Sequence, residues 1–280
     1  MLSYRHAFHA GNHADVLKHS VLMQLLDYLN QKDKPYWVID THAGAGMYAL
    51  DQGYALQNAE YTQGVARLLD ATDLPTSLAS YVQCVQGLNA QDSLKVYPGS
   101  PRIAQQYLRS SDRLRLFELH PTDVDVLRQH FATASRQVKI EAADGFVGLR
   151  ALLPPPTRRG LVLIDPSYED KQDYQRVPQV VKDALQRFAT GMYVVWYPML
   201  QRNDPVRMVD ALKRLQVDWL DVQLKVSHPA ADGFGMFGSG VFIINPPWTL
   251  QPVLRTMMPV MAKHLAVDGG AGFAVTAQSR

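Results

Sequence analysis

Directly after the apolar run "GLVLI" stands Asp165-Pro166-Ser167-Tyr168-Glu169. A carboxylate followed by a backbone carbonyl offers two hydrogen-bond acceptors side by side, and a ring two residues beyond offers a stacking surface. These are the parts needed to alkylate an amino group attached to an aromatic ring. The lone pair of such an amine is delocalised into the ring. Two acceptors that take both N–H hydrogens help the nitrogen turn pyramidal and aim the lone pair at an electrophile. Asp165, the carbonyl of Pro166 and Tyr168 would supply those parts. Asp165 would take the proton during or after transfer, since the amine is too weakly acidic to lose it first. Asn245-Pro246-Pro247-Trp248 has the same ingredients but follows the last apolar run of the chain, where it reads as the end of a strand.

Other acids follow apolar runs in the same way. Asp40 closes "YWVID" ahead of a glycine turn, "THAGAG", Glu118 follows "LRLF", and Asp144-Gly145 follows "VKIEAA". In open α/β sheets ligands lie at the carboxyl ends of the strands. Glycines there admit a close backbone approach, one carboxylate can take ribose hydroxyls, and a second can take an adenine amino group. A dinucleotide fingerprint would need a third glycine where Ala49 stands, which weighs against a nicotinamide oxidoreductase. Asp40, Glu118 and Asp144 therefore point to an adenosine-containing ligand without a pyrophosphate. S-adenosyl-L-methionine has that shape, and its methyl group is the electrophile that Asp165 and Pro166 are suited to meet.

These residues need a scaffold that brings strand ends together. Short runs of strand-forming residues alternate with helical spacing, as in "PTDVDVLRQHFATA" and across 177–188. Such alternation predicts an α/β, doubly wound, Rossmann-like sheet, mostly parallel with an antiparallel pair at its end; with the methyl donor inferred above, it would be of the class I methyltransferase kind. Apolar residues at helical spacing from Val16 to Leu29, behind a cap at Asn12, predict an N-terminal helical extension. Residues 50–96 are too many for one crossover and read as a small helical insertion after the first strand, within a single domain spanning 1–280. Ser100 is expected to cap the next helix with Pro101 in its first position, and the tail "GGAGFAVTAQSR" is expected to fray.

Composition narrows the class without choosing it. The chain has 280 residues, a net charge of +2 and one cysteine, Cys84, so an internal disulfide is excluded. No apolar run is long enough to span a bilayer and no leader is evident, which gives a cytoplasmic expectation. Residues 102–159 hold ten Lys/Arg against six Asp/Glu, and 51–95 hold two against five, so the acidic stretch is the poorer face for a phosphate backbone. No apolar dimer face stands out, and a monomer is expected.

Taken together, "SYRHAFHAGNHADVLKH", "DTHAGAG", "YPGSP", "ELHP", "DG", "DPSYE" and "GSGVFIINPPW" resemble the RlmJ family, bacterial methyltransferases that methylate an adenine of large-subunit (23S) ribosomal RNA at N6. Ser167 departs from the family's D-P-P-Y-E and bears on the rigidity of that loop. The resemblance implies that Lys18, His19, His42, Ser100, Glu118, Asp144, Gly145 and Asp165 contact S-adenosylmethionine, that Asp165 is catalytic, and that Tyr4 meets the RNA. Four of the nine histidines, His6, His9, His13 and His19, lie in the first nineteen residues. Gly11 and the Asn12 cap split them between two elements, so no metal is expected. His19 is placed at the cofactor and the other three at the entrance. The rival readings are an adenine methyltransferase acting on DNA, one acting on a protein glutamine amide, and an RNA-binding domain without turnover.

Overall fold

In the computed structural model, which describes residues 5–90, 93–134 and 136–279, the chain alternates as its patterning requires. α1 (His13–Asn30) leads into β1 (Trp37–Asp40). A hairpin of β2 (Met47–Ala49) and β3 (Val96–Pro98) brackets α2 (Gly53–Asn58), α3 (Ala66–Leu69) and α4 (Thr76–Gln86). Then come α5 (Ser100–Tyr107), β4 (Arg113–Phe117), α6 (Pro121–His130), β5 (Val138–Glu141), α7 (Gly145–Leu152) and β6 (Gly160–Ile164). α8 (Asp173–Arg187), β7 (Met192–Met199), α9 (Asp204–Lys213), β8 (Trp219–Lys225), β9 (Gly238–Ile244), α10 (Leu250–His264) and β10 (Gly272–Gln278) complete it.

The large sheet has the order β10-β8-β9-β7-β6-β1-β4-β5. β5, β4, β1, β6 and β7 run parallel, while β9 is antiparallel to both β7 and β8. The chain winds outward from β1 to β5, then returns across β1 to β6. That change of direction opens a crevice at the carboxyl ends of β1 and β6. Alternate residues of these strands serve opposite faces. Val38, Leu161 and Leu163 pack with Leu17, Leu25 and Ile103, whereas Ile39, Val162 and Ile164 pack with Leu149, Val177 and Leu212. Burial on both faces explains why "GLVLI" is apolar throughout, each large side chain contributing about 1.5–3 kcal/mol.

The helix start at Asn12 is as the sequence predicts, with the Asn12 side chain accepting the N–H groups of Ala14 and Asp15. Two expectations fail. The tail does not fray: Gly272 to Gln278 pair with Lys225 to Trp219 along the whole of β8. Its side chains are largely exposed and form no apolar alternation to announce a strand; the order comes from the open backbone edge of β8. Ser100 does not cap α5. Gly99 occupies the cap position, Ser100 is the first helical residue, and its hydroxyl donates to Asp40 instead.

Candidate active site

The turn after β6 delivers Asp165 to the crevice, where a residue of α1 meets it. Lys18, 3% exposed, donates from Nζ to Asp165 Oδ2 at 2.5 Å and pairs with Asp15 Oδ1 at 2.9 Å. Asp15 and Lys18 share a helix face at i, i+3 spacing. Asp15 also accepts the Gly11 N–H at 2.9 Å and the His6 Nε2 proton at 2.9 Å. Burial opposes the Lys18 charge, but the two carboxylates outweigh it and raise the lysine above its ordinary value. Burial alone would raise the Asp15 carboxyl; His6 and Lys18 reverse that and hold it well below the usual carboxylate range. Among the described residues Asp165 Oδ1 accepts no hydrogen bond.

A cleft of about 240 Å³ lies on one side of this cluster. Its lining includes Lys18, His19, His42, Ser100, Glu118, Asp144, Gly145, Asp165 and Pro166, so the structure brings together every position that the family resemblance assigns to the cofactor. Glu118 accepts the N–H of Gly44 at 2.7 Å and that of His120 at 2.7 Å. Burial raises its carboxyl despite those donors. Asp144 caps α7 by accepting from Phe146 and Val147, and takes an Arg176 N–H at 2.6 Å. Burial would raise Asp144, and Arg176 overrides it, lowering the carboxyl. Gly145 is required by packing, since a Cβ there would come within 2.0 Å of the Thr41 carbonyl oxygen. Gly44 has φ of 58°, a conformation that favours glycine in this turn.

Asp40 does not face the ligand as its position in the sequence suggested. It is 2% exposed and absent from the cleft lining, its carboxylate taken by the Ser100 hydroxyl at 2.6 Å and the His42 N–H at 3.1 Å. Burial pushes it up to about 6. Phe146, Arg176 and Asp15 escaped the sequence reading. An acid at i−3 from a lysine on an apolar helix was the available signal for Asp15; Phe146 and Arg176 carried none.

A second cavity, of about 210 Å³, opens on the other side of the cluster, lined by His6, Asp15, Lys18, Asp165, Ser167, Tyr168, Trp196 and Arg202 among others. Tyr168 belongs here and not to the first cleft. Its ring is already stacked on Tyr174 at 4.4 Å, and its hydroxyl donates to the Trp196 carbonyl at 2.7 Å. It therefore shapes the wall, with one face already engaged. Ser167 accepts the Glu169 N–H through its hydroxyl, at 3.4 Å, giving the turn a bond that proline would not supply. Asn245 is far from both cavities. β9 runs antiparallel to β7, so Asn245 follows Ile244 at the amino-terminal end of β7, where its amide donates to Ala189 and Gly191.

The histidines spread out. His6 pairs with Asp15, His9 with Glu60 at 2.9 Å, and His19 with the Tyr97 hydroxyl at 2.8 Å. His6 and His9 line the second cavity, but His13 lines neither, contrary to expectation. Burial lowers His13 to about 4, His42 to about 4 and His19 to about 3. Tyr4 lies outside the described residues.

The family described as "Ribosomal RNA large subunit methyltransferase D, RlmJ" matches residues 33–275. "Ribosomal RNA large subunit methyltransferase J" of Escherichia coli (strain K12) is 46% identical over 275 residues, covering 98% of this chain and 97% of its own. The protein of the same name from Haemophilus influenzae is 44% identical over 277 residues, covering 98% of each. The crystal structure of protein LPL1258 from Legionella pneumophila superposes with a TM-score of 0.89 at 36% identity, covering 97% of this chain and 99% of that one. With its fold and almost its whole length shared in this way, the chain belongs to the RlmJ family of ribosomal RNA large subunit methyltransferases.

Proposed function

We propose that the protein transfers a methyl group from S-adenosyl-L-methionine to the N6 amino group of an adenine in large-subunit (23S) ribosomal RNA. The observation that carries this reading is that two cavities meet at Asp165, Lys18, His6 and Ser167. The first fits the cofactor. Glu118 uses two of its roughly four lone-pair directions on Gly44 and His120 and keeps the others for ribose hydroxyls. Gly145 lets the first turn of α7 sit against Thr41, leaving room where any larger residue would intrude. His42, Ser100, Lys18 and His19 complete the wall. When bound, the cofactor supplies a sulfonium-activated methyl group.

The second cavity would take the target base, which must leave its stack to enter, favouring a loop, bulge or unfolded strand. Asp165 Oδ1 accepts one hydrogen of the amine and the Pro166 carbonyl the other, which points the nitrogen lone pair toward the first cleft. Lys18 steadies the carboxylate from its other oxygen. As Asp165 takes up the proton released by transfer, Lys18 keeps a charged partner in Asp15. Trp196, Tyr168 and Tyr174 wall the base site.

Exposed large apolar side chains, such as Leu56, Val147, Phe234 and Trp248, are scattered over separate elements, which supports a monomer; sedimentation of the purified chain tests it. No helix among the described residues is long and apolar enough to cross a membrane. The decisive assay is transfer of label from S-adenosylmethionine to protein-free 23S ribosomal RNA by the wild type, Asp165→Ala and Asn245→Ala. Label recovered as N6-methyladenine and lost only with Asp165→Ala supports the reading. Bound cofactor with no label in RNA refutes it, and label in DNA or in a glutamine amide instead would identify the rival substrate.

A further inference from the structure

The segment between β2 and β3 touches the cleft through one buried chain of polar atoms. Tyr81 of α4 and Tyr97 of β3 are both 0% exposed, and their hydroxyls lie 2.9 Å apart. The Tyr97 hydroxyl lies 2.8 Å from His19 Nδ1. On the other side of the same ring, Nε2 is 3.8 Å from Asp15 Oδ1, and His19 lines the first cleft.

The direction of this chain follows from counting donors. Each tyrosine has one proton, and a neutral imidazole has one N–H and one acceptor nitrogen. If Nδ1 carried the proton, it would donate to Tyr97, Tyr97 to Tyr81, and the Tyr81 proton would have no acceptor among the described residues. A buried hydroxyl left in that state loses its hydration with no bond in return, which disfavours this direction. In the opposite direction both hydroxyls are satisfied: Tyr81 donates to Tyr97, Tyr97 donates to Nδ1, and Nε2 carries the proton, 3.8 Å from the Asp15 carboxylate oxygen and therefore not hydrogen-bonded to it.

We propose that Tyr97, whose hydroxyl accepts from Tyr81, is a positioning residue that fixes His19 as its Nε2–H tautomer, so that this ring presents an N–H donor to the cofactor. This rests on the cofactor reading above and gives the segment between β2 and β3 a part in it. The acidic stretch, a poor phosphate clamp by charge, would then act from behind the cleft. The relay passes through the ring of His19 alone and moves no proton during methyl transfer.

The test uses the full chain labelled with nitrogen-15. Long-range proton–nitrogen spectra of the ligand-free protein read the tautomer directly, and calorimetry gives the affinity for S-adenosylmethionine. In the wild type, Nδ1 is expected as an acceptor and Nε2 as protonated; an Nδ1–H tautomer overturns the proposal. Tyr97→Phe is expected to lose the single-tautomer signature and to weaken cofactor binding about tenfold, equivalent to about 1.4 kcal/mol. Binding within twofold of wild type by folded Tyr97→Phe overturns it. Tyr81→Phe leaves the Tyr97 proton free to reach Nδ1, so tautomer and affinity are expected to hold while stability falls. A switch to Nδ1–H in Tyr81→Phe also overturns the proposal, and this arm stands even if Tyr97→Phe fails to fold. The tautomer is read without ligand, so a wild type that binds no cofactor would refute the cofactor reading separately.

Discussion

Asp40 is the carboxylate whose burial makes the sharpest pH prediction. It sits at the end of β1, 2% exposed, with two hydrogen bonds and a pKa raised from 3.8 to about 6, chiefly by burial. A carboxyl raised on folding contributes stability that is fully present below about 3.8 and is lost as pH climbs through about 6. Asp40→Asn mimics the neutral acid. Its oxygen can accept the His42 N–H and its amide can donate to the Ser100 hydroxyl, so both contacts survive without the buried charge. Linkage makes the variant more stable than wild type by about 3 kcal/mol at pH 8, a gap that shrinks as pH falls through about 6 and nearly closes below about 4. For a chain of this size the gap at pH 8 corresponds to roughly 6–12 °C in Tm. Urea unfolding of both proteins across that range measures the gap. A gap that does not change with pH would show that Asp40 is not held in a raised state, and the account of the β1 terminus would fail.

Three further outcomes follow from the geometry. Gly145→Ala forces α7 away from Thr41, whose carbonyl oxygen its Cβ would meet at 2.0 Å. Overpacking of this kind costs about 1–3 kcal/mol, and cofactor affinity measured by calorimetry should fall with it. His13 is half-buried, desolvation lowers it to about 4, and its Nδ1 has no partner among the described residues. A histidine lowered on folding contributes stability that is present above about 6.5 and lost as pH falls toward about 4, so His13→Leu should remove about 2 kcal/mol of the acid sensitivity seen at pH 5 in urea titrations. Asn245 has φ of 53° and supplies two donors, so Asn245→Ala should lower Tm by an amount equivalent to about 1–3 kcal/mol while kcat for methyl transfer stays within twofold.

Much of this protein could be read from local pattern. The alternation of apolar runs with helical spacing specifies a doubly wound sheet, because buried parallel strands must be apolar throughout and their crossovers amphipathic. Asp165, Glu118 and Asp144 were legible because each follows such a run, and the fold carries strand ends to one edge. The same rule misjudged Asp40, whose carboxylate turns inward to Ser100, since strand position sets where a residue lies but not which partner its side chain finds. The choice between Asp165 and Asn245 shows the division clearly. Both follow apolar strands and carry similar motifs, and only the antiparallel direction of β9 sends Asn245 to the far edge of the sheet. Strand direction depends on pairing across the sheet, which no local stretch encodes. The strand β10 was hidden for a related reason, its order coming from the backbone edge of β8 while its own side chains stay exposed. The Lys18 bridge between Asp15 and Asp165, and the Tyr81–Tyr97–His19 chain, join residues distant in sequence through buried polar atoms. Each bond depends on orientation to within a few tenths of an ångström, and only the packed tertiary structure decides that.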